Sequence, residues 1–512
     1  MTNEQEILAI AEETVEAARK AGADIAEAVV RGGSHLSTKV RLRKPELVEE
    51  AGSRSLGLRV MLGQQVAVTY SSDLSASGRA RLVEDAIELA TLSQPDPFAG
   101  APDPALLSKV EDHVDLDTFD PTMDALMADE ALARALEGEG AALDADARVT
   151  NSEGATFTRA SGGSVLVTSG GFRGATRGTY ASLVVNPVAD DADGKKRSGY
   201  HWAATRHLAE LESATAVGKE ATRRTLRKLG ATKIASAQMP LVFDPDAARS
   251  ILGLLSGCIN GGSIWRGSSY LIDRLQTRVA SDLVTIVDDP LIPRAPGSRA
   301  IDGEGLLSRK NVVVKDGILQ TYLLDSYSAR KLEMESTASA SRGSSGGVGP
   351  STTNFVLQPG TTSPEALLAD TPRGLYVTEM MGFGFNGVTG DFSRGAAGFV
   401  IENGELGAAA DRALRAQDRQ VLTLIGGDHG GRDAPVVGRD QRDRAVAADD
   451  VVVGHHQAGG LHDHAAPLAG RALHLDDCGR RLGHDARDAA LGRRCAGLSL
   501  VHLSEPTRQA EI

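Results

Sequence analysis

Apolar residues recur at Ile7, Leu8, Ala11, Val15 and Ala18, the spacing of one helix face, and Gly22 ends the run. Five short β-type runs follow, near residues 25–31, 36–42, 46–50, 55–61 and 65–70, with Gly32-Gly33, Lys44-Pro45 and Gly63 as punctuation. A second helix over residues 76–92 closes a helix–meander–helix unit. Pro95, Pro97, Pro102 and Pro104 mark residues 93–105 as a linker or extended crossover. The theme then repeats. A helix over 123–136 precedes β-type runs near 148–151, 155–159, 164–169, 179–185 and 198–204, and a long helix over 208–229 stops at Gly230. Residues 189–197 read as an exposed hairpin loop. Two such units in tandem suggest an internal duplication within a first domain, residues 1–230.

From Met239 the texture changes. Leu241-Val242-Phe243 is a buried-type strand, and Asp244-Pro245 supplies an N-cap and a first-turn proline for a helix carrying Ile251, Leu254 and Leu255. Asp316-Gly317 between residues 312–314 and 319–324 predicts a hairpin. The Ser/Gly stretch 336–349 is a long loop, of the kind that is functional or disordered. Strands at 354–357, 374–378 and 398–402 complete a β-rich second domain, residues 231–406. The expected class is α+β.

Composition narrows the function. A net charge of -13 argues against a duplex nucleic-acid binder, which needs a basic face. The run Lys219, Arg223, Arg224, Arg227 and Lys228 is too short to change that; it reads as a solvated helix face, with a docking surface as the alternative. No stretch approaches the roughly 20 apolar residues of a membrane span. Cys258, Cys478 and Cys495 form no CxxC pair, and the first 20 residues lack an apolar signal core, so a reducing cytoplasm is the expected compartment.

One block is specific. It runs Gly374-Leu375-Tyr376-Val377-Thr378-Glu379-Met380-Met381-Gly382, then Val388-Thr389-Gly390-Asp391-Phe392-Ser393-Arg394-Gly395, to Glu402-Asn403-Gly404-Glu405. Three further segments stand in matching order: Thr150-Asn151-Ser152-Glu153-Gly154, Gly261-Gly262-Ser263 with Trp265-Arg266-Gly267-Ser268-Ser269, and Pro350-Ser351-Thr352-Thr353-Asn354. Together, over roughly residues 5 to 406, they resemble the TldD/PmbA family in the form of its PmbA (TldE) branch.

The resemblance implies a two-domain chain that pairs with a homologous subunit and handles peptides. In the TldD branch a helix carries an H-E-x-x-x-H zinc motif; by its distance to Gly267-Ser268-Ser269, that motif falls on Leu252-Gly253-Leu254-Leu255-Ser256-Gly257 here. None of those side chains can ligate zinc or accept a proton at neutral pH. The expected role is therefore a metal-free subunit with no cofactor of its own. Its zinc-bearing TldD-like partner would complete a heterodimeric peptidase acting on unfolded peptides. A stand-alone peptide-binding or chaperone-like module is the alternative. Candidate cleft residues are Thr378, Glu379, Asp391 and Arg394, which orient a peptide or face the partner; an internal Asp391–Arg394 pair pinning a Gly-rich turn is the competing reading. His201 and His207 are a remote candidate metal pair, and solvent-facing or capping histidines the alternative. The lone Cys258 reads as a buried structural thiol.

After Leu406 the composition breaks. Residues 407–512 contain no Lys, Phe, Trp, Tyr, Asn or Met but hold eight of the twelve histidines, including His455-His456 and His462 with His464. Such tracts can bind metal, which gives a third function reading. A GC-rich gene read out of frame produces the same bias, and a frameshift with no well-packed core in 407–512 is the preferred expectation.

Overall fold

A computed structural model describes residues 4–235, 237–416 and 452–454. The chain is α+β, as its patterning predicts. In the first half, helix α1 (Glu4–Lys20) leads into strands β1 (Ile25–Arg41), β2 (Lys44–Leu62) and β3 (Gln65–Ser71), then helix α2 (Ala76–Leu92). The theme returns as α3 (Pro121–Asp124), α4 (Ala128–Asp144), β4 (Val149–Thr168), β5 (Arg173–Asp190), β6 (Lys196–Ser198), β7 (His201–Thr205) and α5 (Ala214–Leu226). The expected long helix over 208–229 starts late. Asp120 takes the N–H of Leu208 at 2.8 Å within a 3-10 turn, and Ser213 caps α5 through the N–H of Ala216.

The expected short strands are fused into long ones. Gly32-Gly33 lies inside β1, where it crosses Gly162-Gly163 of β4 at close range: a Cβ on Gly33 would sit 2.8 Å from the Ser161 carbonyl. The β1–β2 turn falls on Leu42-Arg43 rather than Lys44-Pro45. Both residues have positive φ, 50° and 64°, a conformation that normally selects glycine or asparagine. The carboxylate of Glu139, fully buried on α4, accepts both turn N–H groups at 2.9 and 2.7 Å and so holds the turn.

β1 pairs antiparallel with β4 from Glu27↔Thr168 to Val40↔Ala155, so the two units share one seven-stranded sheet, ordered β3-β2-β1-β4-β5-β6 with β7 also on β5. Ala26, Ala28 and Val30 meet α1 and α2, while Leu36 and Val40 of the same strand face meet α4 and α5. Alternation along one strand thus feeds two helix pairs. The helices of the second pair touch backbone to backbone: a Cβ on Gly218 would lie 2.2 Å from the Gly138 carbonyl.

The second half adds β8 (Thr232–Lys233), β9 (Leu241–Phe243), α6 (Pro245–Cys258), α7 (Gly261–Trp265), β10 (Ile286–Asp288), β11 (Asn311–Lys315) and β12 (Ile318–Leu319). After them come α8 (Ser326–Lys331), β13 (Ala340–Arg342), β14 (Val348–Pro350), β15 (Asn354–Leu357) and α9 (Pro364–Ala369). The last strands are β16 (Arg373–Met381), β17 (Phe392–Glu402), β18 (Glu405–Ala416) and β19 (Val452–Gly454). One sheet runs β12-β11-β10-β15-β19 and another β8-β18-β17-β16-β9. A single apolar core joins α6 to both through Leu252, Leu255, Ile286, Val313, Phe355, Leu375 and Val377.

β18 continues ten residues past the compositional break at 406. The Asn403-Gly404 turn, both residues at positive φ, aims the chain back along β17, and backbone pairing then extends from Glu402↔Glu405 to Phe392↔Ala416. The tail histidines lie outside the described residues.

The proline-rich linker is anchored. Arg330 of α8 donates to the carbonyls of Phe98 (2.7 Å), Gly100 (2.9 Å) and Ala101 (3.3 Å), and the Lys331 ammonium sits 4.1 Å over the Phe98 ring. Charged hydrogen bonds are worth about 1.5–3 kcal/mol each at most. Arg330→Ala is expected to free this segment, so that limited proteolysis cuts within residues 93–105 at least tenfold faster than in the wild type. Unchanged cleavage there would mean that other contacts hold the linker.

Candidate functional site

Helix α6 organises the candidate site. Asp244 caps it by accepting the Asp246 N–H at 3.2 Å, and Pro245 occupies its first turn. Ile251, Leu252, Leu255 and Cys258 are buried in the core. Arg249, Gly253 and Gly257 recur every four residues along another side. A Cβ on either glycine would meet nothing within 4 Å, so this row borders open space. The Arg249 guanidinium lies 4.9 Å over the ring of Trp202 on β7, which places the row beside the first-half sheet. Tyr200, 40% exposed, stands next to Trp202; burial, with Asp246 and Glu379 nearby, raises its phenol pKa.

Next to the helix, β16 offers a free edge. β9 pairs with it in parallel from Leu375↔Leu241 to Val377↔Phe243 and then turns into α6. Beyond that point, among the described residues, Glu379, Met380 and Met381 pair only with β17 on the other side.

The four sequence candidates do not converge. Thr378 is the bulge residue of β16, 9% exposed, and its hydroxyl donates to the Ala397 carbonyl at 3.2 Å. Glu379 is paired with Lys228, just beyond α5. It stands opposite Ala397, whereas Arg394 lies three residues away along β17, so the side chains of Glu379 and Arg394 leave opposite faces of the sheet. Asp391 is exposed in the β16–β17 loop and accepts from the Thr389 hydroxyl at 2.5 Å. No ion pair joins Asp391 to Arg394, whose guanidinium instead sits 5.8 Å from the Phe392 ring centroid.

The basic run divides: Lys219 and Arg223 are exposed, as expected of a solvated face, whereas Arg224, Arg227 and Lys228 turn to the second half of the chain. Arg224 bridges Glu220 (2.9 Å) and Asp246 of α6 (2.8 Å), Arg227 lies 5.1 Å over the Phe399 ring, and Lys228 reaches Glu379. These contacts dock α5 on the second half of the chain. Sequence periodicity places the charges on a helix but holds no information about acids more than twenty residues away. Arg249 and Trp202 escaped the sequence reading for the same reason.

Among the described residues, no group of side chains suits a zinc ion. Of the six positions on α6, Leu252 and Leu255 are packed in the core and Gly253 and Gly257 have no side chain. The Cys258 thiol is pushed up to about 12 by burial, so it holds its proton and donates no thiolate. His201 contacts Glu212 at 3.2 Å and His207 the Asp117 carbonyl at 2.7 Å, so the two rings serve different partners.

Three family models match in chain order: the PmbA/TldA metallopeptidase domain 1 over residues 26–90, the central domain over 123–229 and the C-terminal domain over 236–417. Metalloprotease PmbA of Escherichia coli is 36% identical over 383 residues, covering 75% of this chain and 82% of that protein. A metalloprotease TldD homolog of Haemophilus influenzae is 31% identical over 196 residues, 38% of this chain and 41% of that one. The crystal structure of TldE from Thermococcus kodakarensis has the same fold, with a TM-score of 0.72 at 20% identity over 80% of this chain and 91% of that one. The chain belongs to the PmbA/TldD metallopeptidase family.

Proposed function

We propose that this chain is the metal-free subunit of a TldD/TldE-type peptidase complex, with the zinc held by a homologous cytoplasmic partner. The observation that carries this reading is the content of α6. The positions where the related subunit would carry H-E-x-x-x-H hold leucine, glycine and serine, and among the described residues no other ligand set converges there. The helix thus borders the candidate site without supplying a catalytic group.

The open edge of β16 at residues 379–381 and the glycine row of α6 support a role in holding extended peptide. An unpaired strand edge offers alternating N–H and C=O groups to any unfolded chain, independent of its sequence. A helix face without side chains lets that chain approach closely. The substrate class on this reading is unfolded peptide. No described helix is long and apolar enough to cross a membrane.

The test is a cleavage assay on an unfolded peptide with this chain alone, the H-E-x-x-x-H homologue alone, and both together. Cleavage that needs the homologue and rises when this chain is added supports the reading. Cleavage by this chain alone refutes it; saturable peptide binding with no effect on the homologue favours a stand-alone peptide-binding module.

We propose as well that the His- and Arg-rich tail is a gene segment read out of frame. The family match ends at residue 417, and resequencing the gene decides the matter.

A further inference from the structure

Phe383 is 98% exposed, the most exposed large apolar residue among those described. It lies at the start of the β16–β17 loop, two residues after Met381 (47% exposed) and five before Val388 (55%). The other aromatic residues of this hairpin turn inward: Phe392 is 2% exposed, and Phe385 packs on the core and forms an isolated bridge with Phe392.

The loop that presents Phe383 is ordered by its own backbone. Asn386 N–H donates to the Asp391 carbonyl at 2.9 Å, Gly390 N–H to the Asn386 carbonyl at 2.8 Å, and Tyr270 N–H to the Gly387 carbonyl at 2.9 Å. Gly382 has φ +86°, and a Cβ on Gly384 would lie 1.7 Å from the Ser393 carbonyl. The two glycines flanking Phe383 therefore allow a tight backbone path at this point. Leaving such a ring in water forgoes about 1.5–3 kcal/mol of burial.

We infer that Phe383, with Met381 and Val388, is an anchor for a folded protein partner, namely the homologous zinc-bearing subunit; this rests on the proposed function. Shape selects the class of occupant. Small ligands and peptide side chains enter concave pockets, whereas a convex ring on a pre-ordered loop needs a pocket supplied by another folded surface. Location selects the subunit. Met381 ends the open edge of β16, and Gly387 of the same loop lies beside Cys258 at the end of α6, so a protein gripping this loop abuts the candidate peptide cleft. A pre-ordered loop also loses little conformational freedom on docking.

The experiment measures the dissociation constant between the full-length chain and the H-E-x-x-x-H homologue for wild type, Phe383→Ala, Phe383→Glu and the remote control Leu92→Ala (Leu92 is 74% exposed on α2). The expected result is at least tenfold weaker binding for Phe383→Ala, a larger loss for Phe383→Glu, and no change for Leu92→Ala. Melting temperatures of all isolated chains should match wild type, since an exposed ring contributes nothing to the monomer's core. Binding unchanged by both Phe383 variants overturns the inference and leaves the subunit reading standing. A wild-type chain that does not bind the homologue sinks both. A homodimer of this chain dissolved by Phe383→Glu assigns the anchor to a second copy and overturns the choice of partner.

Discussion

Glu27→Ala should destabilise the protein by on the order of 3–5 kcal/mol, because it leaves buried guanidiniums without their counter-charge. Glu27 is fully buried on the face of β1 that looks away from the helices. It accepts from Arg59 of β2 at 3.2 Å and from Arg342 of β13 at 2.8 Å. Arg342 also donates to the Gly303 carbonyl at 2.7 Å and the Gly346 carbonyl at 3.0 Å, so one guanidinium ties the second-half loops to the first-half sheet. Burial pulls the Glu27 carboxyl up, but the two arginines outweigh it and hold the group below the usual carboxylate range. Its contribution is present at neutral pH and is lost as pH falls through that depressed value. Denaturant titration of the variant reads the cost directly. A loss below about 1 kcal/mol would show that the buried charges are satisfied elsewhere. Replacing Glu27, Arg59 and Arg342 together by apolar residues should recover much of the loss, as buried ion clusters often allow.

The opposite pH dependence is expected at Glu304. This carboxyl is 2% exposed, and burial, reinforced by Asp302, pushes its pKa up to about 7. Its partners are the N–H and hydroxyl of Ser326, at 2.9 and 2.7 Å. Asp302 is raised as well, mainly by burial, while Arg299 opposes the rise. For an acid whose folded pKa is raised, the folded state binds more protons than the unfolded chain between the two values. Stability from this group is therefore complete below the unfolded pKa near 4.5 and declines as pH rises through about 7. Wild type should lose stability from pH 5 to pH 8, and Glu304→Gln should flatten that slope. An equal slope in both proteins would place the titration elsewhere.

Local periodicity carries the element order and the α+β class, since the apolar spacing of α1 and the alternation of β1 are properties of short windows. Long-range pairing is not legible in that way. Gly32-Gly33 reads as a turn until Gly162-Gly163 is known to cross it, and only then does the glycine pair mean close strand contact. The Leu42-Arg43 turn runs against local preference because Glu139, almost a hundred residues away, supplies its acceptors. The compositional break at 406 misplaced the end of the folded region for a similar reason: pairing with β17 needs backbone groups and small side chains, which Ala409 and Ala410 provide. At the candidate site, the content of α6 was readable because motif spacing places it. Glu379 and Arg394 were grouped by nearness in sequence, yet strand alternation sends them to opposite faces. Phe383 was invisible, since a phenylalanine between glycines says nothing about exposure until the loop's hydrogen bonds are known.

The decisive measurement is zinc per chain in the complex of full-length protein with its H-E-x-x-x-H homologue, compared with each chain purified alone. One zinc per pair is expected, carried by the homologue and unaffected by Leu252→Ala in this chain. Zinc retained by the isolated chain, or two ions per pair, would contradict it.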